Sequence, residues 1–181
     1  MNLVRRAEQP DAMAKLAGMQ LCRCIRRETG RQFFTVIPNN LYGVRDHYDP
    51  VTAHVIPAML RRYHSGKLTG TVSNWGTGHA RREFIFVRDA ARAMVLLMNT
   101  YLGADPVNIG VGHDVSMFEL AEKIAFVTEF RGTVQWDSTK PEGAARRLLD
   151  NSVLAKLGWR PEVSLESGLK LAYQDFLCQL H

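Results

Sequence analysis

The run Phe33-Phe34-Thr35-Val36-Ile37, stopped by Pro38, constrains the fold of this chain more than any other stretch. Its residues are aromatic or β-branched on both faces, the pattern of a central strand covered from both sides. Such a strand needs packing layers, and a candidate layer stands directly before it. Met13, Leu16, Ala17, Leu21, Cys24 and Ile25 recur at three- and four-residue steps across residues 10–29, and Gly30 follows as a helix stop.

The same alternation continues along the chain. Residues 39–49 are rich in turn formers, and 51–64 read as a second helix in which Pro57 marks a bend or a late start. A loop-rich section at 66–80 holds a short strand near 71–74, and 82–87 reads as another strand. Ala90, Ala93, Met94, Leu97 and Met98 lie at helical spacing within 89–101, ahead of Gly103. Val107-Asn108-Ile109 is a strand candidate, and Ser116 with Glu119 makes the capping box that opens a helix over 117–130. An edge strand at 133–137, a polar loop at 140–147, a short helix at 152–157 stopped by Gly158 and an amphipathic helix from Leu165 onward complete the pattern. Helices and strands in alternation, joined by short connections, define the α/β class.

With 46% hydrophobic and 23% charged residues, the 181 residues have the composition of one globular unit with a sizeable core. No apolar run approaches the ~18 residues of a membrane helix, and no apolar run follows Arg5-Arg6 as in a signal peptide, so a cytoplasmic protein without a membrane partner is expected. Cys22 and Cys24 are one residue apart in a helical pattern and point to different faces; with Cys178 they read as reduced thiols. The six histidines are scattered singly, so no metal site is expected. The net charge of +5 comes from arginine pairs spread over the whole chain (5–6, 26–27, 61–62, 81–82, 146–147) rather than from one basic stripe. That distribution argues against nucleic acid and fits an anionic small molecule, with solvated surface arginines as the plainer reading of most pairs.

Several strings, in order and at consistent intervals, resemble one family, the GDP-L-fucose synthases of the extended short-chain dehydrogenase group. They are Ala14-Lys15-Leu16-Ala17-Gly18, Pro38-Asn39-Asn40-Leu41-Tyr42-Gly43, His54-Val55-Ile56-Pro57-Ala58, Trp75-Gly76-Thr77-Gly78 and Arg82-Glu83-Phe84. Asn108-Ile109-Gly110 with Gly112, Thr139-Lys140-Pro141, and Leu148-Leu149-Asp150 ahead of Leu157-Gly158-Trp159 continue the series. The resemblance implies the C-terminal portion of such an enzyme: an incomplete Rossmann-like doubly wound sheet with a small α/β substrate lobe. It places the residual dinucleotide-binding part at 1–50 and the nucleotide-sugar lobe at 51–181, with returns to the main sheet. It implies an epimerisation followed by an NADP-dependent reduction of GDP-4-keto-6-deoxy-D-mannose, run by a Tyr-x-x-x-Lys helix, a Ser, and a Cys and His pair.

Carried over by position, Lys15 matches the catalytic lysine, which hydrogen-bonds the nicotinamide ribose and depresses the tyrosine's pKa. One helical turn earlier, the tyrosine position holds Asp11, too acidic to be the same proton donor at neutral pH. Pro38, Asn39, Asn40 and Leu41 match the cofactor loop at the end of a strand, with Asn39 replacing the usual Thr and Asn40 also reaching substrate. His54 matches the residue that moves a proton at a carbon beside the ketone and adjoins the cofactor, a task suited to imidazole. Arg62, Trp75 and Arg82 match substrate contacts: paired guanidinium donors suit a diphosphate, and an indole offers a rigid wall. Glu142 stands where the family has Asp, and Arg147 where it has Lys. On residue type alone Lys15 and His54 read as surface residues, Trp75 as either ordinary packing or a contact, and Arg62 and Arg82 as a solvated face.

A dinucleotide fingerprint needs a glycine-rich turn between a first strand and helix. Gly76-Thr77-Gly78 and Gly110-Val111-Gly112 lack that setting and the third glycine, and read as loops. The family's Ser and Cys belong to the portion that would precede Met1. The expectation is therefore a chain that recognises a GDP-sugar but has no oxidoreductase activity alone, with an uncovered edge beside the strand at 33–37. Pairing is expected through the helix at 11–29, as a homodimer or with a full-length homologue. A non-catalytic binding subunit and a gene remnant are the competing readings, both suggested by Asp11.

Overall fold

The computed structural model describes residues 4–180, with side chains from Ala12 onward. A long helix, α1 (Val4–Thr29), is followed by two three-residue strands, β1 (Val36–Pro38) and β2 (Asn40–Tyr42). Helix α2 (Val55–Thr69) leads into β3 (Thr71–Trp75), then β4 (Arg81–Arg82), β5 (Phe84–Phe86) and α3 (Val87–Thr100). Strands β6 (Val107–Ile109) and β7 (Val115–Ser116) precede α4 (Met117–Thr128), β8 (Thr133–Asp137) and β9 (Arg146–Arg147). Two helices, α5 (Ser152–Lys156) and α6 (Leu165–Gln179), end the order.

The strands pair across the chain rather than in hairpins. β1 runs parallel to β6, β2 to β5 and β3 to β8, while β4 sits between antiparallel β7 and parallel β9. Parallel pairs require crossover connections, which the intervening helices supply. This is the expected mixed α/β arrangement, with short parallel pairs in the manner of a partial Rossmann-like sheet.

Strand β5 joins two cores. Side chains alternate along a strand, so Phe84 and Phe86 enter a cluster with Leu60 and Tyr63 of α2, Leu120 and Ile124 of α4, and Leu169 and Phe176 of α6. Ile85, on the opposite face, packs with Ala93 and Leu97 of α3, Val107 and Ile109 of β6, and Leu154 of α5. Each fully buried Leu or Ile contributes about 1.5–3 kcal/mol of transfer free energy. Asp89, with no exposed surface, joins the two sides: in the first turn of α3 it accepts from the backbone of Glu162 (3.0 Å) and Val163 (2.9 Å) and from Arg92 (3.2 Å).

Several expectations change at this level. The strand at 33–37 spans Val36–Pro38 instead, and it is not covered on both faces: Phe33 is 37% and Ile37 36% exposed. Among the described residues β1 has only β6 as a strand neighbour, so its other edge carries no strand, while Phe34 in its approach packs half-buried against Tyr101. Helix α1 begins at Val4 rather than near residue 10, and its apolar stripe is bare, with Met13 65%, Leu16 53% and Leu21 60% exposed. Of the two readings of Pro57, the late start holds. The helix opens at Val55 and the proline occupies its first turn, where its missing N–H leaves no bond unmade. His54 is consequently the N-cap residue, not a mid-helix one. The strand at 82–87 is interrupted at Glu83, and the polar loop at 140–147 ends in strand β9.

Candidate functional site

A cavity of about 860 Å³ opens between the C-terminal end of β1, the start of α2 and the β4–β9 pair, against α1. Its lining includes Lys15 of α1, Pro38, Asn39, Asn40 and Leu41 of the β1–β2 junction, His54 at the head of α2, and Arg82 and Arg147. Ala12, Val55, Ile56 and Phe84 complete it. Eight residues singled out from the sequence thus meet in one place. Asp11 lies outside the described side chains.

The two arginines arrive by register. Arg82 of β4 faces Arg147 of β9, while Arg81 faces Arg146. Strand alternation sends one pair into the cavity and the other away from it. The outer pair is bridged by Asp114, which accepts from Arg81 Nε (2.8 Å) and Arg146 Nε (2.5 Å) with its side chain only 4% exposed, and Glu119 lies 3.5 Å from Arg81 Nη1. Arg146 and then Arg81 hold the Asp114 carboxyl below the usual carboxylate range. The inner pair has no carboxylate side chain beside it in the described lining. Burial foremost, and Arg147 next, pull Arg82 below the ordinary guanidinium value, with Glu142 opposing; a guanidinium stays charged at any such value. Arg82 Nη1 donates to the Arg81 carbonyl (2.8 Å) and Nη2 to that of Glu142 (3.1 Å). Two arginines, a lysine and a histidine thus surround one hollow.

The β1–β2 loop is held by side chains. Asn39 N–H donates to the Ile109 carbonyl (3.0 Å), and Asn39 Oδ1 accepts from both the backbone and the side-chain amide of Asn40 (3.0 Å each). Asn39 Nδ2 donates to Glu83 Oε2, and Asn40 Nδ2 donates to the Glu83 carbonyl (2.8 Å). In the sequence Glu83 is marked only as the middle of Arg82-Glu83-Phe84. The available signal was an acidic residue flanked by Phe84-Ile85-Phe86, because a carboxylate beside a buried strand must find donors.

Arg62, Trp75 and Glu142 do not line this cavity. Arg62 is partly buried and donates to the Ser73 carbonyl (3.1 Å) and Asn74 Oδ1 (3.2 Å), at the end of β3. Trp75, 63% exposed, terminates the same strand. The Glu142 carboxylate accepts from Thr77 Oγ1 (2.7 Å) and from the Thr77 and Ala80 amides (3.2 and 3.3 Å). Through its carbonyl, Glu142 links that loop to Arg82. Both glycine pairs hold carboxylates of the chain itself. The Gly76–Gly78 turn cradles Glu142, and Gly112 N–H donates to Glu83 Oε1 (2.7 Å). Both turns are loops whose Thr77 and Gly112 amides are taken by these carboxylates. Tyr42 offers no substitute proton donor, because its hydroxyl faces the Leu165 carbonyl (3.4 Å) and burial raises its pKa further above the ordinary phenol value.

No described helix is long and apolar enough to cross a membrane. A model of the NAD dependent epimerase/dehydratase family matches residues 5–110. GDP-L-fucose synthase 1 of Arabidopsis thaliana is 45% identical over 168 residues, covering 92% of this chain and 52% of that protein. GDP-L-fucose synthase of Escherichia coli strain K12 is 42% identical over 180 residues, covering 93% and 56%. Among solved structures, a GDP-L-fucose synthetase from Naegleria fowleri bound to NADP superposes with a TM-score of 0.87 at 25% identity, covering 93% of this chain and 56% of that one. The chain spans about half the length of the curated relatives it matches. With more than half of its length matched and the cavity described above, this chain belongs to the NAD dependent epimerase/dehydratase family.

Proposed function

We propose that this chain carries the nucleotide-sugar-binding part of a GDP-L-fucose synthase type of enzyme, acting with NADP on GDP-4-keto-6-deoxy-D-mannose, and that the 181 residues by themselves do not turn over. The observation that carries the reading is the convergence of Lys15, His54, Arg82 and Arg147 on one cavity. Arg82 and Arg147 take the diphosphate, each through paired N–H donors in a plane. His54 shuttles a proton at a sugar carbon next to the ketone. Arg62 and Trp75, one loop away through Glu142, flank the far end of the substrate.

NADP, when bound, supplies the hydride for such a reduction. Lys15 and the 38–41 loop fit its nicotinamide-ribose end, at the C-terminal end of a parallel strand where open α/β sheets hold ligands. Neither glycine pair fits its pyrophosphate, since each turn already holds a carboxylate of the chain, Glu142 on the Thr77 amide and Glu83 on the Gly112 amide. Residues 1–50 form the cofactor side in this reading, 51–181 the substrate lobe with β5, α3 and β6 returning to the sheet. The protein works in the cytoplasm, as a homodimer through α1 or paired with a full-length homologue. Asp11 at the tyrosine position favours a second reading, a non-catalytic GDP-sugar-binding subunit.

Calorimetry with GDP and GDP-L-fucose tests the site, and NADPH oxidation with GDP-4-keto-6-deoxy-D-mannose tests the missing turnover. Heat of binding with no oxidation is the expected pair. Oxidation at the rate of a full-length relative removes the claim of inactivity, and silence toward both nucleotides removes the binding claim. Co-purification with a full-length homologue distinguishes the subunit reading.

A further inference from the structure

Glu83 has no exposed surface, and no lysine, arginine or histidine is paired with it in the described structure. A buried carboxylate without a cation is tolerated only when N–H donors replace its water. Here the donors come from three separate segments. Asn39 Nδ2 and Leu149 N–H (3.1 Å) donate to Oε2, and Gly112 N–H donates to Oε1 (2.7 Å). The fit is tight. A Cβ at Gly110 would meet the two carboxylate oxygens at 2.5 and 2.7 Å, so glycine there is required by Glu83 itself.

The segments joined are the ones that build the cavity. Asn39 belongs to the loop at the end of β1, Leu149 lies two residues beyond Arg147, and Glu83 sits between Arg82 and Phe84, both cavity residues. We propose that Glu83 is the positioning residue of the cavity: its buried carboxylate locks the 38–41 loop to the strand of Arg82 and to the segment after Arg147. The cofactor-side wall and the anion-side wall then move as one body. Glu83 touches no ligand and acts through Asn39, Asn40 and the two arginines. The anion role of those arginines rests on the proposed function; the lock does not.

Amide hydrogen exchange on the full chain, wild type against Glu83→Gln, tests the lock without any ligand. Glutamine keeps the shape but turns an N–H toward at least one of the donors. Exchange at Asn40, Gly112 and Leu149 is expected to accelerate together by about tenfold or more, the effect of losing a charge-assisted hydrogen bond. Amides of β3, β8 and α4 are expected to stay within about twofold. A uniform acceleration across the chain, or a change at Gly112 and Leu149 with Asn40 unaffected, overturns the lock.

If Glu83→Gln does not fold, Asn39→Ala removes only the loop end. Because Asn39 is itself the acceptor of the Asn40 amide, the readout lies at the far side: faster exchange at Gly112 and Leu149, which Asn39 does not touch, supports the proposal, and unaltered exchange at both overturns it. A GDP titration of the same proteins reads the consequence at the site: affinity about tenfold weaker in the folded variant is expected, and an unchanged affinity beside a lowered melting temperature marks Glu83 as merely structural. If wild type itself binds no GDP, the functional reading fails, and the exchange result still decides the lock.

Discussion

Arg82 and Arg147 face each other on adjacent strands, a repulsive arrangement that the diphosphate of the proposed substrate would relieve. Arg82→Ala is expected to weaken GDP binding about 10- to 100-fold at low salt, readable by calorimetry, with little change in melting temperature. Arg82→Lys should recover only part of the loss, because an ammonium lacks the planar fork. The outer pair responds to pH instead. Asp114 is held below the usual carboxylate range by Arg146 and Arg81, so the folded state binds its proton less readily than the unfolded state. Its stabilisation is full above the unfolded value near pH 4 and fades as pH falls through the lower folded value. Asp114→Asn should therefore flatten the acid side of a melting-temperature profile, chiefly below about pH 4. The arginine pairs were legible in the sequence; which arginine of each pair faces the cavity was not, because that depends on strand registers set by distant segments.

Among the elements, local rules sufficed where local interactions decide the outcome. Ser116 accepts from the Glu119 amide (3.1 Å), and Glu119 Oε2 accepts from the Ser116 amide (2.6 Å), the reciprocal cap expected at α4. Ser116→Ala is expected to lower the unfolding free energy by about 1 kcal/mol, measured by urea denaturation. The start of α2 was open on sequence because a proline near a helix start fits either a bend or a first turn. The choice settled His54 as the residue at the helix head, where it joins the lining of the cavity. β5 was legible as a strand from Phe84-Ile85-Phe86, yet the break at Glu83 was not. That break serves three donors that arrive from residues 39, 112 and 149, and nothing in the neighbouring sequence announces them.

Across the whole molecule, covered and uncovered apolar surface divide sharply. Leu60, with no exposed area, sits where α2 meets the larger core, and Leu60→Ala should cost about 2–5 kcal/mol. Leu16 and Leu21 on α1 are mostly exposed, so their truncation in a monomer should cost little. If α1 pairs with a second copy, Leu16→Arg with Leu21→Arg should convert a sedimenting dimer into a monomer while leaving far-ultraviolet dichroism near wild type; a monomeric wild type removes the pairing claim. Helical and strand periodicities, glycine stops, the capping box and the α/β class were set by the sequence alone, because each depends on neighbours within a turn or two. Only the tertiary structure decided that the 33–37 run lies half bare, that Arg62 and Trp75 stand outside the cavity, and that Glu83 ties its walls together. Those outcomes depend on which segments far apart in the chain come to share an edge or a hydrogen bond, and periodicity carries no record of them.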